Sequence, residues 1–390
     1  MYSYSERLSW SFFENAYSQA IAGKRRANAP LLDLSLSNPT TALASVYPHD
    51  AIRRAFGSLE TFLYEPDPSG LVEARQAIAA YYRKDGTAIS AENILLTSST
   101  SEAYALLFKL FCDPGDEVLA PVPSYPLFEY LSALESVRMV PYSLVYDGSW
   151  YVDFKEMERQ ITPRTRAIVL VNPNNPTGSF LKDPECRELF ALAARNNLPI
   201  LSDEVFMDYE IAAGPRIKTL IGRDDVLSFS LNGLSKSAGM PQMKLGWIVI
   251  NGPAAARATA KARLELLLDT YLSVNVPVQR ALTDLLLIGR QIRDDLRLRI
   301  AGNLSELLDS LRSVPAHMLH LEGGWSATLR LPATRSEVAW LDHFLSEGNV
   351  VVQPGYFFDM PGEPYIVVSL IVEPAIFRAG ISEIRRLLAS

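Results

Sequence analysis

Between residues 51 and 250 the chain alternates short, continuous apolar runs with stretches of helical periodicity, and this alternation most limits its possible folds. Residues 71–83 and 184–196, for example, carry apolar residues at three-to-four spacing and predict helices. Residues 94–97, 167–171 and 246–250 are apolar without polar alternation. Such strands are buried on both faces, as in a mostly parallel sheet between two layers of helices. The sequence therefore predicts an α/β fold with a large domain built on a mostly parallel sheet flanked by helices.

The pattern changes after residue 253. Residues 254–268 and 278–311 predict long helices, the second interrupted near Arg290. Strands are predicted at residues 325–331, 350–352 and 365–370, and a closing helix at residues 382–389. We expect a smaller α+β domain here. The predicted division is an N-terminal segment (1–45) that joins the small domain, a large domain (46–270) and a small C-terminal domain (271–390).

Composition excludes several classes of protein. The 37 basic and 44 acidic residues give a net charge of −7, which offers no basic surface for nucleic acid or an anionic membrane. Two cysteines, and four histidines without ligand spacing, predict neither a disulfide framework nor a metal site. The apolar runs fall short of the roughly 18 residues a membrane-spanning helix needs, and residues 1–10 do not resemble a signal peptide. We expect a cytoplasmic protein.

Two polar motifs follow neighbouring apolar runs. The first, NPNNPTG at residues 172–178, predicts a rigid turn at the carboxyl end of a buried strand, where sheets of this type bind ligands. The second places Asp203 at the end of the next run, and burying its carboxylate requires a cation or hydrogen-bond donors. Taken singly, the first motif also fits a plain turn, and the second also fits an aspartate in an exposed loop.

Two further motifs suggest an amine nucleophile and an anion site. Lys236 lies among small residues, which leaves room for a group attached to its amine. A lysine in a dry site loses its proton readily and forms Schiff bases with carbonyls. Residues 97–101 (TSSTS) precede a helix that begins near Glu102, and hydroxyls and free N–H groups at a helix N-terminus bind phosphate. The alternatives are a surface lysine and a helix cap formed by Ser101.

In this order, with 28 residues from Asn175 to Asp203 and 33 from Asp203 to Lys236, the motifs resemble the aspartate aminotransferase superfamily. These are fold type I enzymes that depend on pyridoxal 5′-phosphate (PLP). Residues 113–119 (DPGDEVL) and 123–126 (PSYP) are also typical of that family. The resemblance extends from about residue 32 to the C-terminus. It implies a class I/II aminotransferase that moves an amino group from an amino donor to a keto acid.

The resemblance also implies a role for each matching residue. Lys236 would hold PLP as a Schiff base and then move the substrate proton. Asp203 would pair with the pyridine nitrogen and raise the pKa of that nitrogen. The other implied cofactor contacts are Asn175 to the ring hydroxyl, Tyr125 to the ring face, and Ser99, Thr100, Ser101 and Lys244 to the phosphate. Tyr64 would reach the phosphate of the partner subunit, which implies a homodimer with shared active sites.

Four positions depart from the family pattern. Phe206 replaces a tyrosine that donates to the ring hydroxyl, and Tyr209 is a candidate to take over that hydrogen bond. Gly233 replaces a common phosphate-binding serine. Lys244 replaces an arginine, which keeps the charge but loses the planar fork. Val367 stands where the family generally has an arginine that binds the substrate carboxylate, and an apolar side chain cannot do this.

Two residues are candidates for substrate binding in place of that arginine. Arg330 could supply the cation, although it equally fits a strand-end surface residue. Asn38, in the segment SNPT at residues 37–40, lies where the family has a substrate-side loop. The alternative is a substrate that is bound in a different way.

The change at Val367 keeps a second function open. A PLP-dependent lyase, such as a C–S β-lyase, or a decarboxylase could share this fold and need no carboxylate anchor. A non-enzymatic regulator has little support, because regulators of this superfamily add a basic DNA-binding domain and this chain is acidic.

Overall fold

The computed structural model describes residues 2–8, 10, 15–57, 63–84, 86–362 and 364–389. The strands are β1 (Leu32–Asp33), β2 (Ile94–Thr97), β3 (Glu117–Val122), β4 (Arg138–Tyr146), β5 (Trp150–Val152), β6 (Thr165–Val171), β7 (Ile200–Asp203), β8 (Ser228–Gly233), β9 (Gly246–Asn251), β10 (His317–Met318), β11 (Ser326–Arg330), β12 (Val350–Val351), β13 (Gln353–Pro354) and β14 (Tyr365–Ser369). The α-helices are α1 (Ala16–Arg26), α2 (Pro39–Ala42), α3 (His49–Ala55), α4 (Val72–Lys84), α5 (Thr100–Phe111), α6 (Leu127–Leu134), α7 (Phe154–Gln160), α8 (Asp183–Asn196), α9 (Leu234–Ser237), α10 (Ala254–Tyr271), α11 (Val276–Leu311), α12 (Glu337–Gly348) and α13 (Pro374–Leu388). Within these ranges no helix combines the length and hydropathy that a membrane crossing requires.

The large sheet has eight strands in the order β2-β9-β8-β7-β6-β3-β4-β5. Neighbours from β8 through β7, β6 and β3 to β4 are parallel, whereas β9 runs antiparallel to both β8 and β2, and β5 runs antiparallel to β4. The predicted mostly parallel sheet is confirmed. This topology puts the carboxyl ends of β2, β3, β6, β7 and β8 and the first residue of β9 at one edge of the sheet.

The sheet is buried on both faces, as its apolar strands predict. In β2, Ile94 and Leu96 pack into one core cluster and Leu95 packs into another. All residues of β8 and β9 are buried. Each fully buried aliphatic side chain contributes roughly 1.5–3 kcal/mol, so these central strands fix the position of the functional edge.

The C-terminal third forms a second, smaller α+β unit. Its four-stranded antiparallel sheet has the order β10-β11-β14-β13. The N-terminal segment contacts this part: β1 pairs with β12, and the Leu34 carbonyl accepts a 2.8 Å hydrogen bond from Ser369. The Tyr17 hydroxyl also donates to the Val352 carbonyl. The domain boundaries at residues 45 and 270 stay a prediction.

Three elements differ from the sequence expectation. Helix α11 continues through Arg290 without interruption, because Leu285, Gly289 and Ile292 keep one buried face on both sides of it. Helix α13 begins at Pro374 rather than at residue 382, since the Glu373 carboxylate accepts hydrogen bonds from the N–H groups of residues 375 and 376. Strand β4 was not predicted, because it is only half buried and lacks a continuous apolar run.

Candidate active site

The polar motifs meet at the sheet edge where the parallel strands end. Asp203 is the last residue of β7, and Lys236 follows β8 by three residues. Asn175 follows β6 and Tyr125 follows β3 by four and three residues. Residues 99–101 follow β2, whose last residue, Thr97, pairs with Gly246 at the start of β9. Residues that are far apart in sequence therefore lie around one crevice.

Lys236 lies in the four-residue helix α9, with its amine among aromatic rings. Its Nζ is 4.5 Å from the ring centroid of Trp325 and 5.5 Å from that of Phe206. Burial lowers the pKa of the Lys236 amine to about 8, against the opposing attraction of Asp203. A larger fraction of this amine is therefore neutral near physiological pH than for an exposed lysine, as a nucleophile or a proton acceptor requires.

Asp203 is a partly buried carboxylate with few compensating partners. Burial raises its pKa to about 6, although hydrogen bonds from Val205 and Tyr104 and the charge of Lys236 lower it. The Val205 N–H is 3.2 Å from Oδ1 and the Tyr104 hydroxyl 3.3 Å from Oδ2. A carboxylate in this state favours a cationic N–H partner, because that partner would restore its charged form.

Tyr104 is a site residue that sequence reasoning missed. It lies on α5, is buried, and packs edge-on against Phe128 with ring centroids 5.1 Å apart. Desolvation and the nearby Asp203 raise the pKa of its hydroxyl well above the ordinary value, so the hydroxyl stays a donor. The available signal was its position four residues after Thr100, which places both residues on one face of the helix.

The turn after β6 is held by its own amides. The Asn172 side chain donates to the Ile217 carbonyl at 2.7 Å and accepts from the Leu181 N–H at 2.9 Å. The peptide bonds before Pro173 and Pro176 are cis. Gly178 has φ +67°, and a Cβ there would collide with the Gly323 carbonyl. These constraints hold Asn175, which is partly buried, at the crevice.

The N-terminus of α5 forms an anion cradle. Ser99 caps the helix, with its Oγ accepting from the Glu102 N–H at 3.1 Å, and the Glu102 carboxylate accepts from Ser98 at 2.6 Å. The N–H groups of Thr100 and Ser101 lie in the open first turn, where the helix dipole favours an anion. A Cβ at Gly246 would lie 3.0 Å from the Ser99 backbone, so β9 packs closely under the cradle.

Gly233 and Lys244 stand at the two phosphate-binding positions where this chain departs from the pattern of the family that it resembles. A Cβ at Gly233 would lie 2.9 Å from both the Leu245 carbonyl oxygen and Gly246 Cα, which leaves no room for serine here. Lys244 is exposed, in the left-handed region with φ 49°, two residues before β9. It therefore lies at the sheet edge where β9 begins, and its contact with a phosphate stays a prediction.

Tyr125 and Tyr64 are both exposed. Tyr125 is 48% exposed, follows a cis Val122-Pro123 bond, and its neighbour Ser124 donates to the Phe358 carbonyl at 3.0 Å. Burial and then the charge of Asp203 raise the pKa of the Tyr125 hydroxyl, which indicates that this hydroxyl lies close enough to Asp203 to interact with its charge. Tyr64 is 76% exposed, in a surface groove that also contains Leu268.

Tyr209 does not offer a free hydroxyl to a ligand. Its hydroxyl donates at 2.7 Å to the backbone carbonyl of Lys236. Its ring is 5.3 Å from that of Trp325, and Phe206 packs edge-on against the same indole at 4.9 Å. Tyr209 thus braces the lysine turn rather than replacing the hydrogen bond lost at Phe206. Trp325 is a second site residue that sequence reasoning missed.

Of the two substrate candidates, Arg330 is placed unfavourably. Arg330 is exposed at the far end of β11, five residues and therefore about 16 Å along the strand from Trp325. This placement fits the surface alternative and not a cation beside Lys236. The Asn38 carboxamide oxygen caps α2 by accepting from the Thr40 N–H at 3.0 Å and its hydroxyl at 2.8 Å.

Val367 fills an apolar environment. It is completely buried in a core cluster that includes Leu319, Phe358 and Met360. It pairs across the small sheet with Thr328. The position is therefore closed by side-chain packing, and a charged residue there would have to displace that core.

Comparisons with known proteins agree on the family. The sequence model described as "Aminotransferase class I and II" matches residues 29–370. The glutamate-pyruvate aminotransferase AlaA of Escherichia coli K12 is 32% identical over 255 residues, which cover 65% of this chain and 62% of that protein. The match thus spans less than two thirds of that relative. An alanine aminotransferase of Mycobacterium tuberculosis is 29% identical over 314 residues, 77% of this chain and 72% of the relative.

Solved structures share the fold over the full length. An aminotransferase from Escherichia coli superposes with a TM-score of 0.87 and 25% identity, covering 100% of this chain and 99% of that one. An alanine aminotransferase from Pyrococcus furiosus gives a TM-score of 0.88 at 22% identity, covering 99% and 100%. The likeness therefore includes both the large sheet and the smaller C-terminal unit.

Proposed function

Because the chain belongs to the aminotransferase class I and II family, we propose that it transfers an amino group from an amino donor to a keto acid. Members of this family depend on PLP. The observation that carries the proposal is a lysine amine with a lowered pKa at the same sheet edge as a partly buried carboxylate with a raised pKa. The partial coverage of the AlaA relative leaves the whole protein's activity and its small-molecule substrates as proposals.

The residues at this edge fit PLP. Lys236 offers an amine for the aldehyde, and Asp203 offers a carboxylate that favours a cationic N–H. The first turn of α5 offers open N–H groups for a phosphate, above a close approach of backbone at Gly246. These three features match the three reactive parts of the cofactor.

The remaining contacts follow the same arrangement. Asn175 would bind the ring hydroxyl and Tyr125 would cover the ring face. The phosphate would be held by Ser99, Thr100, Ser101 and Lys244. Arg330 is not included, because it lies at the far end of β11. Asn38 stays a candidate for the substrate through its amide N–H2, since only its carboxamide oxygen caps α2.

The chemistry divides between the cofactor and the chain. When bound, PLP withdraws electrons from the carbon that carries the amino group. Asp203 in its ionised form would favour the protonated state of the cofactor's ring nitrogen. Lys236 Nζ would accept the proton from the substrate carbon and deliver it to a neighbouring atom of the bound molecule. Holding the amine close to both atoms lowers the reaction barrier by up to roughly 7–11 kcal/mol. The rings of Phe206 and Trp325 lie beside that amine, at 5.5 and 4.5 Å from their centroids.

Assembly and location are part of the proposal. Tyr64 is exposed, and we place its hydroxyl at the phosphate of the partner subunit in a homodimer with shared sites. A cytoplasmic location is supported by the two cysteines, both of which are free thiols. We also propose the division into residues 1–45, 46–270 and 271–390, because the pattern of helices and strands changes after residue 253.

Amino-group transfer can be tested with a panel of amino acids and either pyruvate or 2-oxoglutarate. We expect new keto acids to form, and borohydride reduction to leave a pyridoxyl group on the peptide that contains Lys236. Lys236→Ala should abolish both results, whereas Lys155→Ala, an exposed lysine on α7, should change neither. Absence of transfer from every donor would refute the proposal. Pyruvate and ammonia from a single substrate without an acceptor would instead identify a lyase.

The closed position at Val367 makes the same panel informative about the substrate. Arg330, the cation that the sequence offers as a replacement, lies at the far end of β11. Plain amines without a carboxylate should therefore be included beside the amino acids. A response to amines would mean that the substrate needs no carboxylate anchor.

A further inference from the structure

A cationic cavity lies on the side of the Lys236 turn that faces helices α4 and α11. Its volume is about 490 Å³, and it is lined by Tyr81 and by four cationic and two acidic side chains. The cations are Lys84, Arg290, Arg293 and Arg297, and the acids are Asp208 and Asp294. None of these lining residues is among those assigned above to the site at Asp203, Lys236 and the N-terminus of α5.

The acids do not neutralise the cations. Asp208 pairs with Arg293 at 3.1 Å, and Asp294 pairs with Arg297 at 3.2 Å. Lys84 and Arg290 are exposed and form no ion pair with the described residues. Four cations against two carboxylates leave an excess of two positive charges, in a chain whose net charge is −7. The cavity therefore matches the charge of a dianion.

Helix geometry gathers the three arginines. Positions 290, 293 and 297 are separated by three and four residues, so their side chains share one face of α11. Like charges this close repel each other, and Asp208 and Asp294 offset the charges of Arg293 and Arg297 but leave that of Arg290. Guanidinium groups bind phosphate oxygens through paired N–H donors.

Arg293 is already held in place. It donates to the Ser237 carbonyl at 2.8 Å and stacks over the Tyr81 ring, 5.9 Å from the centroid. Its Nε is buried and has no hydrogen-bond partner in the described ranges. A prearranged donor lowers the entropy cost of binding. Through Ser237, a ligand on Arg293 would lie one hydrogen bond from the turn that carries Lys236.

We propose that this cavity binds a phosphate group, free or carried by a small ester, through Lys84, Arg290 and Arg293. The cofactor's own phosphate would occupy the cradle at the N-terminus of α5, on different residues. The inference does not depend on amino-group transfer, because binding can be measured without turnover.

The test uses cofactor-loaded enzyme in a zwitterionic buffer at constant ionic strength, titrated with inorganic phosphate and followed by calorimetry. We expect one saturable site per chain with a Kd on the order of 1 mM. Lys84→Ala/Arg290→Ala should weaken binding at least tenfold. Arg385→Ala, which removes one positive charge from an exposed position on α13 as Lys84→Gln does in the cavity, should bind as the wild type does. Lys84→Gln alone provides a milder variant whose fold is not at risk.

A second titration with glycerol 3-phosphate separates the two sources of the ligand. Tighter binding of the ester would identify a small organic phosphate, and equal binding would identify the free ion. Either result supports the site. The proposal is overturned if neither compound shows saturable binding up to about 50 mM, or if the Arg385 variant loses as much affinity as the double variant.

Discussion

At the scale of single residues, burial brings the pKa values of Lys236 and Asp203 towards each other. The lysine falls from 10.5 to about 8, and the aspartate rises from 3.8 to about 6. Without a ligand, each group is therefore closer to its neutral form than it would be in water. A ligand that brings a cationic nitrogen to Asp203 and takes up the amine of Lys236 relieves both desolvation costs.

Tyr104→Phe tests the support of Asp203. The Tyr104 hydroxyl lowers the pKa of this carboxyl, so its removal should raise that pKa further above 6. The acid limb of PLP binding to the cofactor-free protein should move to higher pH by about half a unit to one unit, which corresponds to roughly 1 kcal/mol. The pH profile measures this shift. Asp203→Asn removes the charge itself and should lower kcat/KM at least about 100-fold at every pH.

An unchanged acid limb in Tyr104→Phe would contradict the assigned hydrogen bond. Tyr151→Phe is the matched control, because it removes an exposed tyrosine hydroxyl on β5, away from the site. It should leave the profile of the wild type intact.

At the scale of elements, Glu204 joins β7, β8 and the segment before β8. Its buried carboxylate accepts hydrogen bonds from the hydroxyls of Ser202, Ser230 and Thr219 and from the Leu220 N–H. Burial nevertheless raises the pKa of Glu204 to about 7. This side chain fastens the strand that carries Asp203, although the mechanism does not use it.

The pH dependence of stability should report on Glu204. Its folded pKa of about 7 exceeds the unfolded value of 4.5, so the folded state binds more protons between these values. The resulting stabilisation is complete below pH 4.5 and is lost as the pH rises through 7, by about 3 kcal/mol in all. In Glu204→Gln this component is absent. Urea unfolding of both proteins at acidic and alkaline pH should show a smaller loss in the variant, and identical losses would rule out the shift.

Gly178 in the turn after β6 and Gly148 in the turn between β4 and β5 provide a matched pair of glycine substitutions. Gly178 has φ +67°, and the Cβ added in Gly178→Ala would meet the Gly323 carbonyl. We therefore expect this variant to lose roughly 2–4 kcal/mol of unfolding free energy. Gly148→Ala has φ +76° but open space around the new Cβ, and should cost only about 1 kcal/mol. Denaturant unfolding measures both. Equal losses would show that the contact with residue 323 does not matter.

At the scale of the whole molecule, shared active sites predict complementation between two inactive variants. In a mixed dimer of Lys236→Ala and Tyr64→Ala subunits, one site combines an intact lysine with the intact tyrosine of the other chain. The second site has neither. Mixing the unfolded variants and refolding them together should therefore restore activity to about a quarter of the wild type, given random pairing.

The complementation also has a clear negative outcome. If Tyr64 served the site of its own chain, every mixed dimer would contain only damaged sites and no activity would return. Gel filtration of the wild type should show a dimer. Leu266→Ala, another large exposed side chain, serves as the control partner for Lys236→Ala and should form mixed dimers without affecting the phosphate contact.

Local sequence was sufficient where burial left a continuous signal. Strands such as β6 and β9 were predicted within two residues of their ends, because strands buried on both faces are apolar throughout. Strand β4 was missed, since Pro141 and Ser143 interrupt its apolar residues and only every second residue from Val140 to Leu144 is buried. The uninterrupted course of α11 was also missed, because a charged residue at position 290 hides a face that packing keeps continuous.

The sequence by itself determined the sheet, the family and the residues with distinctive chemistry, because spacing and residue type survive in one dimension. Only the tertiary structure decided which side chains are available to a ligand. It assigned the Tyr209 hydroxyl to a backbone carbonyl, placed Arg330 at the far end of its strand, and brought Tyr104 and Trp325 to the site. Hydrogen-bond partners and desolvation depend on contacts between distant segments, and these contacts exist only once the chain has packed.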